Sequence, residues 1–231
     1  MTNQSINISE VIEWDVANWS QALIFWKINS NLNLEETLAL ELGARNGGLS
    51  FWLAQHGAKV VCSDIDGPTD QAYILHKKYN LTHLIEYKAV DALSIPYNNH
   101  FDLVIFKSIL GGIGRDTKIH LQRKTFNEIY KCLKPGGEIW FAENLKASFF
   151  HQFFRENFVT WGKSWRYVTP KEIDFFLSSF HKKKYLFSGF LGAFGRNESQ
   201  KKILGTIDHY FLNKIIPKNW KYIIIGVAQK Y

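Results

Sequence analysis

Short apolar runs alternate with helix-period segments along the middle of this chain, and that alternation sets its plan. Leu38-Ala39-Leu40-Glu41-Leu42 is a nearly continuous apolar run that suits a buried strand and predicts one over 37–42. The chain turns at Gly43, and Leu49, Phe51, Trp52 and Leu53 then predict a helix over 48–56. Lys59 to Asp64 reads as a second buried strand ending in an acid, and Gly67-Pro68 opens a helix that reaches Tyr79. A third strand is predicted over 84–90, and a fourth, the most hydrophobic and therefore central, over Phe101 to Phe106. After a glycine-rich turn at 108–114, a helix over 117–133 stops at the breaker cluster Lys134-Pro135-Gly136-Gly137. Glu138 to Ala142 makes a fifth strand. Strands and helices alternating in this way predict an α/β fold, a parallel sheet with helices on both faces.

The flanks are patterned differently. Val11, Ile12, Trp14, Trp19, Ala22, Leu23 and Trp26 recur at three and four and predict one amphipathic helix over 9–29. Beyond the fifth strand, Phe149 to Phe158 reads as an aromatic helix and Trp161 to Tyr167 as a loop. Thr169 is an N-cap, with Pro170 at the first helical position and Glu172 completing a capping box. A strand over 184–190, a helical insertion over 199–215 and a last strand over 220–229 follow.

A chain of 231 residues is large enough for one α/β domain. Cys62 and Cys132 have no zinc or disulfide spacing, and Met1-Thr2-Asn3-Gln4-Ser5 has neither the basic nor the apolar region of a signal peptide. No apolar run approaches the roughly 20 residues of a membrane span. A cytoplasmic protein without a metal site is expected. Charge changes the picture more. Residues 1–145 carry 13 Lys and Arg against 16 Asp and Glu, whereas residues 146–231 carry 15 against 5. The basic tail also holds 20 of the 36 aromatic residues, which suggests an acidic ligand-binding half joined to a basic, aromatic acceptor half. A solvated basic face around Lys182-Lys183-Lys184 accounts for the same charge.

The loop after the first strand carries candidate chemistry. Gly43 and Gly47 permit a tight turn and the close approach of a ligand. In a doubly wound sheet this loop lies at the carboxyl edge, where cofactors bind. Glu41, just before the turn, repels a diphosphate and attracts an ammonium or sulfonium. Asp64 lies 21 residues past Gly43, the spacing at which an acid meets ribose hydroxyls. A nicotinamide-dinucleotide site is the nearest rival, but it needs a middle glycine where this chain has Arg45.

Four ordered pieces between Thr37 and Leu145 resemble the class I S-adenosylmethionine-dependent methyltransferases. Glu41-Leu42-Gly43-Ala44-Arg45-Asn46-Gly47 is similar to the family's acid-and-glycine first motif, and Asp64 to its ribose-binding acid. Asp91-Ala92 is similar to the pair beside the adenine, and Leu133-Lys134-Pro135-Gly136-Gly137 to the turn before the fifth strand. The resemblance implies a Rossmann-like, seven-stranded, mostly parallel sheet and S-adenosylmethionine as cofactor. It implies cofactor contacts from Glu41, Gly43, Ala44, Arg45, Asn46, Gly47, Asp64, Ile65, Asp91, Ala92 and Lys107. It divides a single domain into an N-terminal helical cap (1–33), a cofactor-binding core (34–146) and an acceptor-side region with the last two strands (147–231). Arg45 stands where most members have glycine, so its side chain is expected to point away from the cofactor. Gly111-Gly112 stands where many small-molecule members have a histidine. The tail is similar to small-molecule methyltransferases of bacterial polysaccharide clusters.

Methyl transfer requires the acceptor to be aligned with the methyl carbon and sulfur, water to be excluded, and a hydroxyl acceptor to lose its proton. Trp14, Trp19, Asn144, Arg166 and Tyr167 are the substrate candidates, and His151 and Glu143 the candidate bases. Glu143 and Asn144 leave the fifth strand at the catalytic edge. An unperturbed imidazole titrates near neutrality, while Phe149, Phe150 and Phe153 around His151 equally suit a packed histidine. Arg166 offers a planar fork to an acceptor carboxylate or phosphate, or to an internal salt bridge. The expected acceptor is a small, anionic molecule, methylated on a hydroxyl of a sugar or polysaccharide precursor. An RNA methyltransferase and a non-catalytic cofactor-binding module are the alternatives. Phe106-Lys107-Ser108 lacks the pattern of enzymes that methylate exocyclic amines, so nucleic acid is the less expected partner.

Overall fold

The computed structural model describes residues 7–160 and 162–231; the amino-terminal pentapeptide and Trp161 of the predicted loop lie outside the described residues. Helices α1 (Ile8–Val11), α2 (Val16–Trp19) and α3 (Gln21–Asn29) lead into β1 (Leu38–Leu42), α4 (Gly48–Gln55), β2 (Lys59–Asp64), α5 (Asp70–Lys78) and β3 (Ile85–Ala89). Then come β4 (Phe101–Lys107), α6 (Leu110–Ile113), α7 (Ile119–Cys132), β5 (Leu133–Asn144), α8 (Phe149–Phe158) and α9 (Pro170–Phe176). Last are β6 (Phe180–Ser188), α10 (Glu198–Ile207) and β7 (Ile223–Lys230).

The strands form one seven-stranded sheet in the order β3-β2-β1-β4-β5-β7-β6, parallel except for β7, which runs antiparallel between β5 and β6. Alternate side chains fill two cores. Leu103 and Ile105 of β4 pack under α1 to α4, and Val104 and Phe106 pack under α7 and α9. The register aligns the carboxyl ends: Leu42 lies beside Ser63 and Phe106, Asp64 beside Ala89, and Lys107 beside Ala142. The segments that leave these ends therefore open on one edge of the sheet.

Three predicted elements differ. The helix expected over 9–29 is three pieces: the chain is extended at Ile12, Asp15 adopts a left-handed φ of 45°, and Ser20 separates α2 from α3. The break at Asp15 is held by a distant group: the Glu198 carboxylate accepts from the Asp15 and Val16 N–H groups at 2.8 and 3.3 Å. The breaker cluster at 134–137 does not precede β5 but lies inside it, as a bulge between the pairs Phe101–Leu133 and Leu103–Glu138. On β6 the ladder shifts between His181 and Lys184, with Lys182 at φ 48°. Lys182-Lys183-Lys184 therefore sits on a bulged edge strand, where lysines discourage pairing with another sheet. That part of β6 pairs with β7 beyond Tyr185–Gly226, away from the carboxyl edge.

Candidate functional site

The loop between β1 and α4 is held from below, from the side and from above. Glu41 is 3% exposed, and its Oε2 accepts from the Ser50 N–H at 2.8 Å and from the Ser50 hydroxyl. The carboxylate thus fixes the first turn of α4 to β1, and burial raises its pKa to about 7. Gly43 and Gly47 have φ of 66° and 72°. A Cβ on Gly43 would lie 2.5 Å from Ile109, and one on Gly47 2.6 Å from the His76 ring, so neighbouring side chains exclude a larger residue there. The Ala44 N–H reaches Ser63 O at 2.8 Å. Asn46 donates to Glu13 at 2.5 Å and accepts from the Thr69 hydroxyl at 2.8 Å. Arg45, at φ 50°, has a side chain 66% exposed and 3.6 Å from Glu13.

At the end of β2, Asp64 accepts from the N–H groups of Arg45 and Ile65 at 2.9 and 2.8 Å. Beyond β3, Asp91 accepts from the Leu93 N–H at 2.8 Å, with Ala92 half-buried beside it. An ionised carboxylate has about four acceptor positions, so both acids keep lone pairs for a ligand. Ile65 is exposed next to Asp64.

On the far side of β1, Trp14, Trp19, Ser108, Asn144, His151 and Tyr167 line a pocket of about 190 Å³, together with Asp15, Arg155, Trp165 and Tyr222. Asn144 donates to the Ser108 hydroxyl at 2.7 Å. Arg166 is not in this pocket. It lines an adjoining cleft of about 500 Å³, where its guanidinium donates to Gln122 at 2.6 Å and pairs with Glu172. His151 is buried, with Nδ1 at 2.7 Å from the Ser148 hydroxyl and Nε2 at 2.8 Å from Phe190 O. A carbonyl only accepts, so Nε2 donates and Nδ1 receives the Ser148 proton, which leaves no free lone pair. Burial lowers its pKa to about 4. Glu143 accepts from the N–H groups of Leu110 and Asn144, both at 2.9 Å, and burial raises its pKa to about 7.

Lys107 lies between loop and pocket. Its Nζ is 3.0 Å from the Trp14 ring centre and 5.3 Å from that of Trp19, and has no hydrogen-bond partner among the described residues. Burial lowers its pKa to about 7 against the pull of Glu13, Glu41 and Glu143. Sequence reasoning missed Ser108, Arg155 and Tyr222. Arg155 had a signal: it follows His151 by one helical turn and shares its inward face. Among the described residues no group of acids, histidines and cysteines is arranged to hold a metal, and no helix is long and apolar enough to cross a membrane.

Residues 40–141 match the sequence profile of the family described as Methyltransferase domain. No curated protein matches the chain by sequence. Among solved structures, phosphoethanolamine N-methyltransferase 2 of Haemonchus contortus, in complex with phosphomonomethylethanolamine and S-adenosylhomocysteine, superposes with a TM-score of 0.63 at 17% identity. The alignment covers 95% of this chain and 56% of that one, so this chain spans little more than half of its length. Geranyl diphosphate C-methyltransferase of Streptomyces coelicolor, in complex with Mg2+, geranyl diphosphate and S-adenosylhomocysteine, gives 0.63 at 11% identity, over 92% of this chain and 79% of its own. The cyclase SpnF gives 0.62 at 16%, over 91% and 80%. At such identities the shared property is the fold.

Proposed function

On the premise that the chain carries a class I S-adenosylmethionine-dependent methyltransferase domain, we propose that it methylates a small molecule seated between Trp14 and Trp19 on one side and Ser108, Asn144 and Tyr167 on the other. The methylated atom is a hydroxyl oxygen of a sugar or polysaccharide precursor. One observation carries the reading: the pocket adjoins the glycine loop through consecutive residues. Glu13 holds Arg45 and Asn46 of the loop, and Trp14 both lines the pocket and covers Lys107.

S-adenosylmethionine supplies the activated methyl group and its own leaving group. The residues at the carboxyl edge fit it. Asp64 has lone pairs for ribose hydroxyls, Asp91 for an adenine amine, and the backbone of Gly43 to Gly47 for the methionine portion. Trp14, backed edge-on by the buried Trp19 and covered on one side by Lys107, gives a sugar ring an apolar surface, while Ser108 and Asn144 orient its hydroxyls. With both nitrogens of His151 engaged, Glu143 and Lys107, whose pKa values of about 7 suit a base at neutral pH, remain as the candidate bases, and both lie behind the residues that line the pocket. The lysine run that best suits a phosphate track lies on the bulged edge of β6, which favours a small acceptor over RNA. Labelled cofactor offered to total RNA and to cell-envelope sugar extracts tests this. Label is expected in the sugar fraction; label in RNA alone would end the small-molecule reading.

A further inference from the structure

Arg155 is a buried cation for which the described residues provide no paired carboxylate. Its side chain projects from α8 and is 8% exposed. Nη1 donates to Leu145 O at 2.7 Å and, more weakly, to Lys146 O at 3.5 Å. The guanidinium carbon lies 3.9 Å from the centre of the Tyr167 ring. Among the described residues no carboxylate pairs with it, in contrast to Arg166, which Glu172 neutralises. Two carbonyls and a ring face offset only part of the cost of taking a full charge out of water. A guanidinium has five donors, and those on Nε and Nη2 have no partner among the described residues. That edge is the fork that meets a carboxylate or phosphate with two parallel bonds.

The position is informative. Arg155 lines both the 190 Å³ pocket and the 500 Å³ cleft, and Tyr167 lines both with it. The carbonyl that anchors Nη1, Leu145 O, comes directly after Asn144, whose amide donates to the Ser108 hydroxyl in the 190 Å³ pocket. Arg155 and Tyr167 share that pocket with Ser108, Asn144 and the two indoles.

We propose that Arg155, backed by the Tyr167 ring, is the anion subsite of the acceptor pocket, and that the acceptor carries a phosphate or carboxylate group. This rests on the small-molecule reading of the pocket. It gives to Arg155 the role that charge and motif had suggested for Arg166.

The test titrates the full chain, saturated with S-adenosylhomocysteine, with inorganic phosphate and separately with acetate in a calorimeter. Saturable binding of at least one is expected, and the stronger of the two identifies the oxyanion. Arg155→Met should weaken it at least tenfold, while Lys163→Met, which removes a cation from the cleft alone, should change it less than twofold. If Arg155→Met does not fold, Arg155→Lys keeps the charge and loses the fork, and should still weaken binding severalfold. S-adenosylhomocysteine affinity should be unchanged in every variant. Absence of phosphate and acetate binding, equal loss in the Arg155 and Lys163 variants, or full binding by Arg155→Lys would overturn the subsite. Failure of the unmodified protein to bind S-adenosylhomocysteine would instead remove the methyltransferase reading.

Discussion

The two sides of the carboxyl edge are built from different ranges of chain. On the loop side, every group proposed to meet the cofactor except Lys107 falls between Glu41 and Ala92, and apart from the reach of Glu13 to Arg45 and Asn46 the carboxylates there are held by near neighbours or by the adjacent strand. On the pocket side, the lining runs from Trp14, Asp15 and Trp19 through Ser108, Asn144, His151 and Arg155 to Trp165, Tyr167 and Tyr222. There the Tyr222 hydroxyl donates to Asp15 across 207 residues, and Asn18 reaches Asp208 at 3.4 Å. The loop side is a local motif on strand ends; the pocket side is a product of packing. Its walls are therefore core residues, and damage to them should appear first as lost stability. Damage to the loop side should appear first as lost affinity.

Trp19→Ala is the harshest test of that contrast. Trp19 is 1% exposed and meets Trp14 edge-on at 6.3 Å. Its removal is expected to lower the unfolding free energy by about 3–5 kcal/mol in a urea titration. A loss near zero would mean that the pocket wall is an appendage to the core.

Glu143 provides a test by pH. Its folded pKa of about 7 lies above the usual carboxyl value because it is buried. The folded state thus holds a proton that the unfolded chain has released between about pH 4.3 and 7. The resulting stabilisation is complete below the unfolded pKa and is lost as pH rises through 7. Glu143→Gln stays neutral, so its stability relative to the parent should rise between pH 5 and pH 8 by up to about 3 kcal/mol. A pH-independent difference in thermal unfolding would show that the carboxyl is ionised throughout.

Asp64→Ala addresses the loop side. Loss of a charge-assisted bond to the ribose should weaken S-adenosylhomocysteine by about 1.5–3 kcal/mol in calorimetry, with a smaller change in stability than Trp19→Ala gives. Unchanged affinity would separate Asp64 from the cofactor. The smallest effect is expected for Arg45→Gly, since among the described residues the exposed side chain pairs only with Glu13, at 3.6 Å, and glycine accepts φ 50° without strain. Cofactor affinity should stay within about tenfold, or ~1.4 kcal/mol; a larger loss would make the guanidinium a ligand contact.

The alternation of strands and helices, the glycine loop and the acids at the strand ends are all written in local pattern. Apolar runs and turn residues act over a few positions, and a parallel sheet brings the ends of its strands to one edge whatever lies between them. The sequence also marked Trp14, Trp19, Asn144 and Tyr167, which the fold brings together in one pocket. Tertiary structure alone decided what each polar group does there. Glu198 caps a helix near the other end of the chain, Glu172 takes up Arg166, and the lysine run lies on a sheet edge. Arg155, to which the sequence assigned no role, is left as a buried guanidinium with which no carboxylate pairs among the described residues. Whether a charge is free or paired depends on which distant residue packs against it, and local pattern carries no record of that.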